Sequence, residues 1–170
     1  GKDLPKDYSV AANWLSKAAK QNHSQAQFNL GLMYFEGLGV PKDYYHAFDW
    51  FEKAALLGTP EAQFNLALLY YLGFGTSKNL KQAHLWSEKA AESGDAGAQF
   101  VLGFMYANGQ GTVQDLTQAV RWYQKAAAQS HPEAHYNLAL LYIEGKGGFG
   151  QNFEPGFKHC EQAAILGGPN

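Results

Sequence analysis

AQFNLALLYYLGFGT, residues 62–76, decides the fold because it is written four times in one chain. Thirty-six residues earlier stands AQFNLGLMYFEGLGV (26–40), thirty-six later AQFVLGFMYANGQGT (98–112), and AHYNLALLYIEGKGG follows from 134. The residues between the copies recur too, as DYYHAFDWFEKAALLG, NLKQAHLWSEKAAESG and DLTQAVRWYQKAAAQS, with a leading half-copy DYSVAANWLSKAAKQN at 7–22. After the fourth glycine loop the register slips by one residue, so that GFKHCEQAA brings Ala163 and Ala164 one position late. A fixed period of this size marks stacked supersecondary units, none of which buries its apolar face alone.

Each copy holds two apolar-rich stretches with helical spacing. Ala26, Leu30, Gly31 and Tyr34 share a side of the first, and Ala47, Trp50 or Phe51, Ala54 and Ala55 a side of the second. Asp43, Asn79 and Asp115 stand where a short acceptor caps the second helix. Pro60 and Pro132 open first helices, where a missing amide is tolerated, and Gly58 and Gly94 close second helices in left-handed caps. Trp14, Trp50, Trp86 and Trp122, like Tyr34, Tyr70, Tyr106 and Tyr142, recur in register, which reads as packing between helices. The expected unit is helix, glycine loop, helix, short turn.

Composition bounds the function. The chain of 170 residues is 46% apolar, ample for a core, and 13 Lys and Arg against 15 Asp and Glu argue against a nucleic-acid partner, which requires a broadly basic surface. The single cysteine, Cys160, closes no intramolecular bridge. The longest apolar runs are too short to span a bilayer, so no direct membrane insertion is expected. The abrupt opening on Gly1 reads as a mature or excised fragment.

The glycine loops invite a phosphate-binding reading, which their chemistry does not support. Gly37-Leu38-Gly39 is followed by Val-Pro, and Gly145-Lys146-Gly147 lacks the Ser or Thr after its lysine, so neither matches a nucleotide loop between strand and helix. Glycine here is expected to permit a tight reversal. His131 and His135 stand at helical spacing, though His131 lies at or before the cap, and read as a surface pair rather than a metal site, because no Cys or Asp is placed nearby to complete one. No serine elbow or paired carboxylates suggest catalysis, Cys160 reads as a small buried hydrophobe, and no cofactor is implied.

Alanine at the start of the copy, Leu-Gly or Leu-Ala before a tyrosine, Gly-x-Gly, Asp or Asn, then Ala, Trp and Lys-Ala-Ala together resemble the SEL-1-like repeat family, relatives of the tetratricopeptide repeats, over residues 7–167. The resemblance implies an all-α, right-handed α/α superhelical solenoid. It divides the chain, taken as one repeat domain over 1–170, into a partial leading repeat 7–25, repeats 26–61, 62–97 and 98–133, and a terminal repeat 134–170 with a one-residue insertion. It also implies a scaffold or adaptor, not an enzyme, in a bacterial envelope, secretion or host-interaction (virulence) setting, with a secreted, periplasmic or host-delivered location. The alternatives are a hydrolase of β-lactam-like or cell-wall amide substrates, disfavoured because the paired cysteines of such relatives are missing, and a structural spacer or self-association domain.

One strip of the first helix departs from its apolar circumference, formed by the fourth and eleventh positions of each copy. It comprises Asn29 and Glu36, Asn65 and Leu72, Val101 and Asn108, and Asn137 and Glu144, bordered by Met33, Leu69, Met105 and Leu141. By likeness to tetratricopeptide stacks this strip is expected to line a concave face that binds a protein or peptide, within a larger complex. The asparagines would offer donors and acceptors to a peptide backbone, and the Met and Leu residues adaptable apolar contact.

Overall fold

The computed structural model describes residues 7–167. Residues 1–6 and 168–170, at the two ends of the expected repeat array, lie outside the described residues. The described residues form helices α1 (Tyr8–Ala19), α2 (Ser24–Glu36), α3 (Tyr44–Leu56), α4 (Pro60–Leu72), α5 (Leu80–Glu92), α6 (Ala96–Asn108), α7 (Leu116–Ala128), α8 (Pro132–Glu144) and α9 (Phe153–Ile165), and contain no strand. The all-α helical-repeat class expected from the periodicity is the class observed: α2, α4, α6 and α8 are the first helices of the copies, and the others are second helices.

The chain divides into two compact units, 1–79 and 80–170. In the first, α1 packs on α2, α2 on α3 and α3 on α4; in the second, α5 packs on α6 and the contacts run onward pair by pair to α9. Each helix therefore finds its partner surface in its neighbours along the chain, as a repeat architecture requires.

Local chemistry sets the helix ends. Asp43 accepts from the amides of Tyr45 and His46, Asp115 from that of Gln118, and Asn152, which the sequence reading passed over, from that of Glu154. Pro60 and Pro132 sit in the first turns of α4 and α8. Two glycines per loop do different work. Gly73 ends α4 with φ +78° and donates to the Leu69 carbonyl, a left-handed cap. Gly75 lies so close to the backbone of Tyr44, at the start of α3, that any Cβ there would collide with the Tyr44 carbonyl. The spacing of the pair thus sets both the helix end and the approach of the loop to the second helix of the preceding copy. The inserted residue of the fourth copy is absorbed in the α8–α9 loop, where Phe149 stacks on Tyr142 with ring centroids 3.8 Å apart.

The core is built from small residues with an aromatic fill. Ala47, Phe51, Ala54, Ala62 and Leu66 are fully buried in the first unit, and Ala98, Leu102, Ala119, Ala126 and Leu138 in the second. Gly31 faces Phe51 and Gly103 faces Tyr123, each so closely that an added Cβ would stand 2.7 Å from the ring. In the copy between them the glycine position holds Ala67 and the ring position Ser87.

A buried polar series was invisible to the periodicity. Gln27, Gln63 and Gln99 send their side-chain amides to the carbonyls of Ala19, Ala55 and Ala91, at 3.1, 3.3 and 3.2 Å. Each satisfies the carboxyl end of the preceding second helix. The recurring lysines of Lys-Ala-Ala lie over the recurring tryptophans, Lys53 on Trp50 at 4.3 Å and Lys125 on Trp122 at 3.8 Å, one turn apart. Trp86 is buried and Trp50 packs against the cluster of Ala19, Ala26 and Leu30, whereas Trp14 is 65% exposed.

Candidate functional site

The strip of the first helices emerges from the packing as a partly open face. Asn29, Asn65, Val101 and Asn137 are half-buried, and Glu36, Leu72, Asn108 and Glu144 are exposed. The bordering residues need correction: Met33, Leu69, Met105 and Leu141 lie in the core, between 0% and 8% exposed. The reason is helical phase. Met33 follows Leu30 by three residues and Ala26 by seven, and so shares their buried face, whereas Leu32 follows Asn29 by three and shares the strip. The accessible apolar border is therefore Leu32, Leu68, Phe104 and Leu140, of which Phe104 and Leu140 are exposed. The sequence reading missed this series, although it stands at the same period as the asparagines.

The asparagines differ in what they leave for a partner. Asn65 donates to the Glu61 carbonyl and Asn108 to the Phe104 carbonyl, both at 2.8 Å, so their amide nitrogens serve their own helices. Asn29 accepts from Gln25 at 3.5 Å. The Asn137 side chain makes no hydrogen bond to another described residue.

In the second unit the strip borders an open cavity of about 220 Å³ between α6 and α8. Asn108, Asn137, Leu141 and Glu144 line it with Phe104, Leu140, Ala107 and the buried Tyr123 of α7. Four of the residues expected at the site are thus brought together; Leu141 reaches the cavity as part of its wall. Val101 and Met105 do not line it. In the first unit Asn29 and Glu36 on α2, and Asn65 and Leu72 on α4, occupy the equivalent faces. Tyr123 is 2% exposed, and burial alone pushes its phenol well above the ordinary tyrosine range.

Basic charge is segregated by element. The first helices carry Glu36, Glu61, Glu133 and Glu144 and no lysine or arginine, while Lys17, Lys53, Lys81, Lys89, Arg121, Lys125 and Lys158 all stand on second helices. The strip therefore stands on helices without lysine or arginine, whereas the second helices carry both signs, with Asp49, Glu52, Glu88, Glu92, Glu154 and Glu161 beside their cations.

The histidine pairing also differs from expectation. His131 precedes α8 in an extended conformation, which takes it out of helical phase; it contacts Glu133 at 3.2 Å and stacks on Phe100. His135 instead meets His159 of α9, with Nδ1 atoms 2.9 Å apart. His135 occupies the position held by Gln27, Gln63 and Gln99 in the other copies. Desolvation, and then the neighbouring His135, lower the pKa of His159. Among the described residues no three His, Cys, Asp or Glu side chains gather to hold a metal, and no helix is long and apolar enough to cross a membrane. Cys160 is half-buried and free.

Comparison with known proteins agrees with this architecture. The sequence profile of the Sel1 repeat matches residues 1–23, 24–59, 60–95, 96–131 and 132–168, a frame beginning two residues before the copies delimited above. A protective antigen present in uropathogenic Escherichia coli strains, displaying an SLR fold, is similar at 34% identity and a TM-score of 0.92, over 98% of this chain and 36% of its own. This chain thus spans about a third of that relative. A Sel1 repeat protein from Oxalobacter formigenes is similar at 34% identity and a TM-score of 0.91, over 98% of this chain and 68% of its own. Cysteine-rich protein B of Helicobacter pylori, at 24% identity and a TM-score of 0.60 over 79% of this chain and 97% of its own, shares the fold alone. No curated protein sequence matches at a significant level. The profile matches and the two structures alike at 34% identity point to a scaffold rather than an enzyme. Repeat period, stacked helix pairs and these likenesses converge: the chain belongs to the Sel1 repeat family, whose helical solenoids generally serve as scaffolds for protein–protein interaction.

Proposed function

We propose that the chain is an adaptor module which holds a peptide or protein partner along the strip of its first helices, as part of a larger complex. The observation that carries this reading is the α6–α8 cavity, which gathers Asn108, Asn137 and Glu144 beside the exposed Phe104 and Leu140. Polar groups set among apolar walls in a concavity are the ordinary composition of a recognition site. Variation along the strip, with Val101 where other copies have asparagine and Leu72 where others have Glu or Asn, supplies the differences on which partner choice rests.

The bacterial relatives, and the description of one as a protective antigen of uropathogenic strains, support a host-facing or envelope setting with a secreted, periplasmic or host-delivered location. Fractionation of cells producing the full gene product tests the location, which a purely cytoplasmic pool excludes. For the binding role, the test is affinity capture from the native environment with the wild-type chain and with a variant carrying Asn29→Ala, Asn65→Ala and Asn137→Ala. Proteins retained by the first and lost by the second support the strip, and an unchanged set contradicts it.

A second reading, self-association, is favoured by apolar side chains exposed on two end helices: Trp14 on α1, at 65%, and Phe157 and Ile165 on α9, at 64% and 69%. Light scattering across a concentration series decides it. A mass that stays monomeric, or that rises equally in a Trp14→Gln, Ile165→Gln variant, removes this reading.

A further inference from the structure

His135 departs from a rule that the other copies keep. Gln27, Gln63 and Gln99, at the equivalent position, hold a carbonyl at the end of the preceding second helix, whereas His135 turns to α9 and meets His159, Nδ1 to Nδ1 at 2.9 Å. The contact lies in the seam between α8 and α9. On α8 the same face continues one and two turns on with Ala139 and Ile143, and on α9 the buried Gly156 and Ala163 stand one turn before and one turn after His159. Gly156 is so close to α8 that an added Cβ would stand 2.8 Å from Ile143. No other described helix contacts α9 to a comparable extent, so this seam is what holds α9 in place.

Two ring nitrogens at this distance require one donor and one acceptor. A neutral pair meets that requirement, and so does a pair with one extra proton. Two imidazolium rings do not, because both Nδ1 atoms then donate and two positive charges face each other. No carboxylate is placed to relieve them. On α8, Glu133 contacts His131 at 3.2 Å and Glu144 pairs with Lys146 at 2.9 Å; on α9, Glu154 pairs with Lys158 at 2.8 Å. Cys160 and the exposed Glu161 follow His159 by one and two residues, which turns them about 100° and 200° round the helix. The titratable side chains of α7, which packs against α8, are Arg121, Tyr123 and Lys125. A cavity of about 170 Å³ beside the pair is lined by Pro155, Gln162 and Lys158, so the nearest added charge is a third cation. Tyr142 stacks on His159 with ring centroids 5.7 Å apart; its face favours a first positive charge and offers a second N–H no acceptor of ordinary strength.

We propose that the His135–His159 pair is an acid-operated latch on α9: at neutral pH one proton bridges the two rings and closes the α8–α9 seam, and the second imidazolium forms only as α9 leaves α8. Desolvation, and then His135, lower the pKa of His159, which is the direction such a latch requires. Below the ordinary histidine value of about 6.5 the opened seam therefore binds more protons than the closed one, so opening is favoured as pH falls and suppressed above that value. Opening uncovers Ala139 and Ile143, the face of α8 on which Gly156 now sits. Gln27, Gln63 and Gln99 give their copies no such response, and the latch acts whichever face of the chain receives a partner.

The test is native-state hydrogen exchange of the whole chain at about pH 7.5, 6.5 and 5.5, corrected for intrinsic exchange, with α6 as the internal reference. Opening that takes up one extra proton lowers the protection of α9, residues 153–165, by up to about tenfold per pH unit below about pH 6.5. Protection of α6, residues 96–108, falls less. His135→Gln, which installs the residue that Gln99 shows the repeat accommodates, removes the pH dependence of α9. His159→Gln does the same, and decides the question if the first variant does not fold. Protection of α9 that is constant with pH, a fall shared equally by α6, or an undiminished fall in these variants overturns the proposal.

Discussion

Ser130 holds a φ of +63°, in the turn where the other copies place Asn22, Gly58 and Gly94 at the same left-handed geometry. A residue with a Cβ is strained there, and glycine is not. Ser130→Gly should therefore raise stability by about 1 kcal/mol, read as a higher urea midpoint at unchanged slope; an unchanged or lower midpoint would show that the turn carries no strain. His159 makes a second residue-scale expectation. Desolvation, and then His135, hold its folded pKa below the ordinary value, so the neutral ring is favoured in the folded chain. The unfolded chain takes up a proton as pH falls through about 6.5, and the folded chain does so only at lower pH. The contribution to stability is thus complete above that pH and is lost progressively below it, down to the folded pKa. Unfolding midpoints compared at about pH 7.5 and about pH 5.5 should fall on acidification, and fall less in His159→Gln, with His84, lowered by its own burial, supplying part of the remainder. An identical fall in the variant contradicts the assignment. Neither residue was legible as such: Ser130 is an ordinary turn residue until its φ is known, and His135 meets a partner 24 residues away.

At the scale of elements, the first and second helices of a copy meet through a matched pair of positions. Gly31 admits the ring of Phe51, and Gly103 that of Tyr123. Gly103→Ala should destabilise the chain by about 1–3 kcal/mol through overpacking, despite the better helix propensity of alanine. Combination with Tyr123→Ser, which removes the ring that the added methyl would strike, should cost less than the sum of the two single changes, a coupling that a double-mutant cycle in urea reads directly. Strict additivity would mean that the pair is not matched. The existence, length and caps of these helices were readable from Asp43, Asp115, Pro60 and the period of the alanines, because capping and amphipathicity are local. The matching of glycine to aromatic was not readable, because it depends on which helix faces which. Gln63 shows the same limit: a polar residue beside an alanine looks solvent-facing until the carbonyl of Ala55 is found within its reach. On the strip, helical phase puts Asn29 and Glu36 on one side, but Met33 and Leu32 flank them at opposite sides, and only packing decides which side is covered.

At the scale of the whole molecule, the division into one repeat domain is itself a proposal. Its test is the unfolding of single-tryptophan variants that keep Trp50 in the first unit or Trp122 in the second: coincident urea transitions support one domain, and separate midpoints contradict it. The functional claim is that the first helices present the binding face and the second helices, with their Lys-on-Trp contacts, do not. Site-specific photo-crosslinking in the producing cells tests it most directly, with the crosslinker placed at Asn137 on α8 or at the exposed Gln124 on α7. A discrete protein adduct from position 137 that is absent from position 124 is the expected result; adducts from 124 alone, or equally from both, would contradict it.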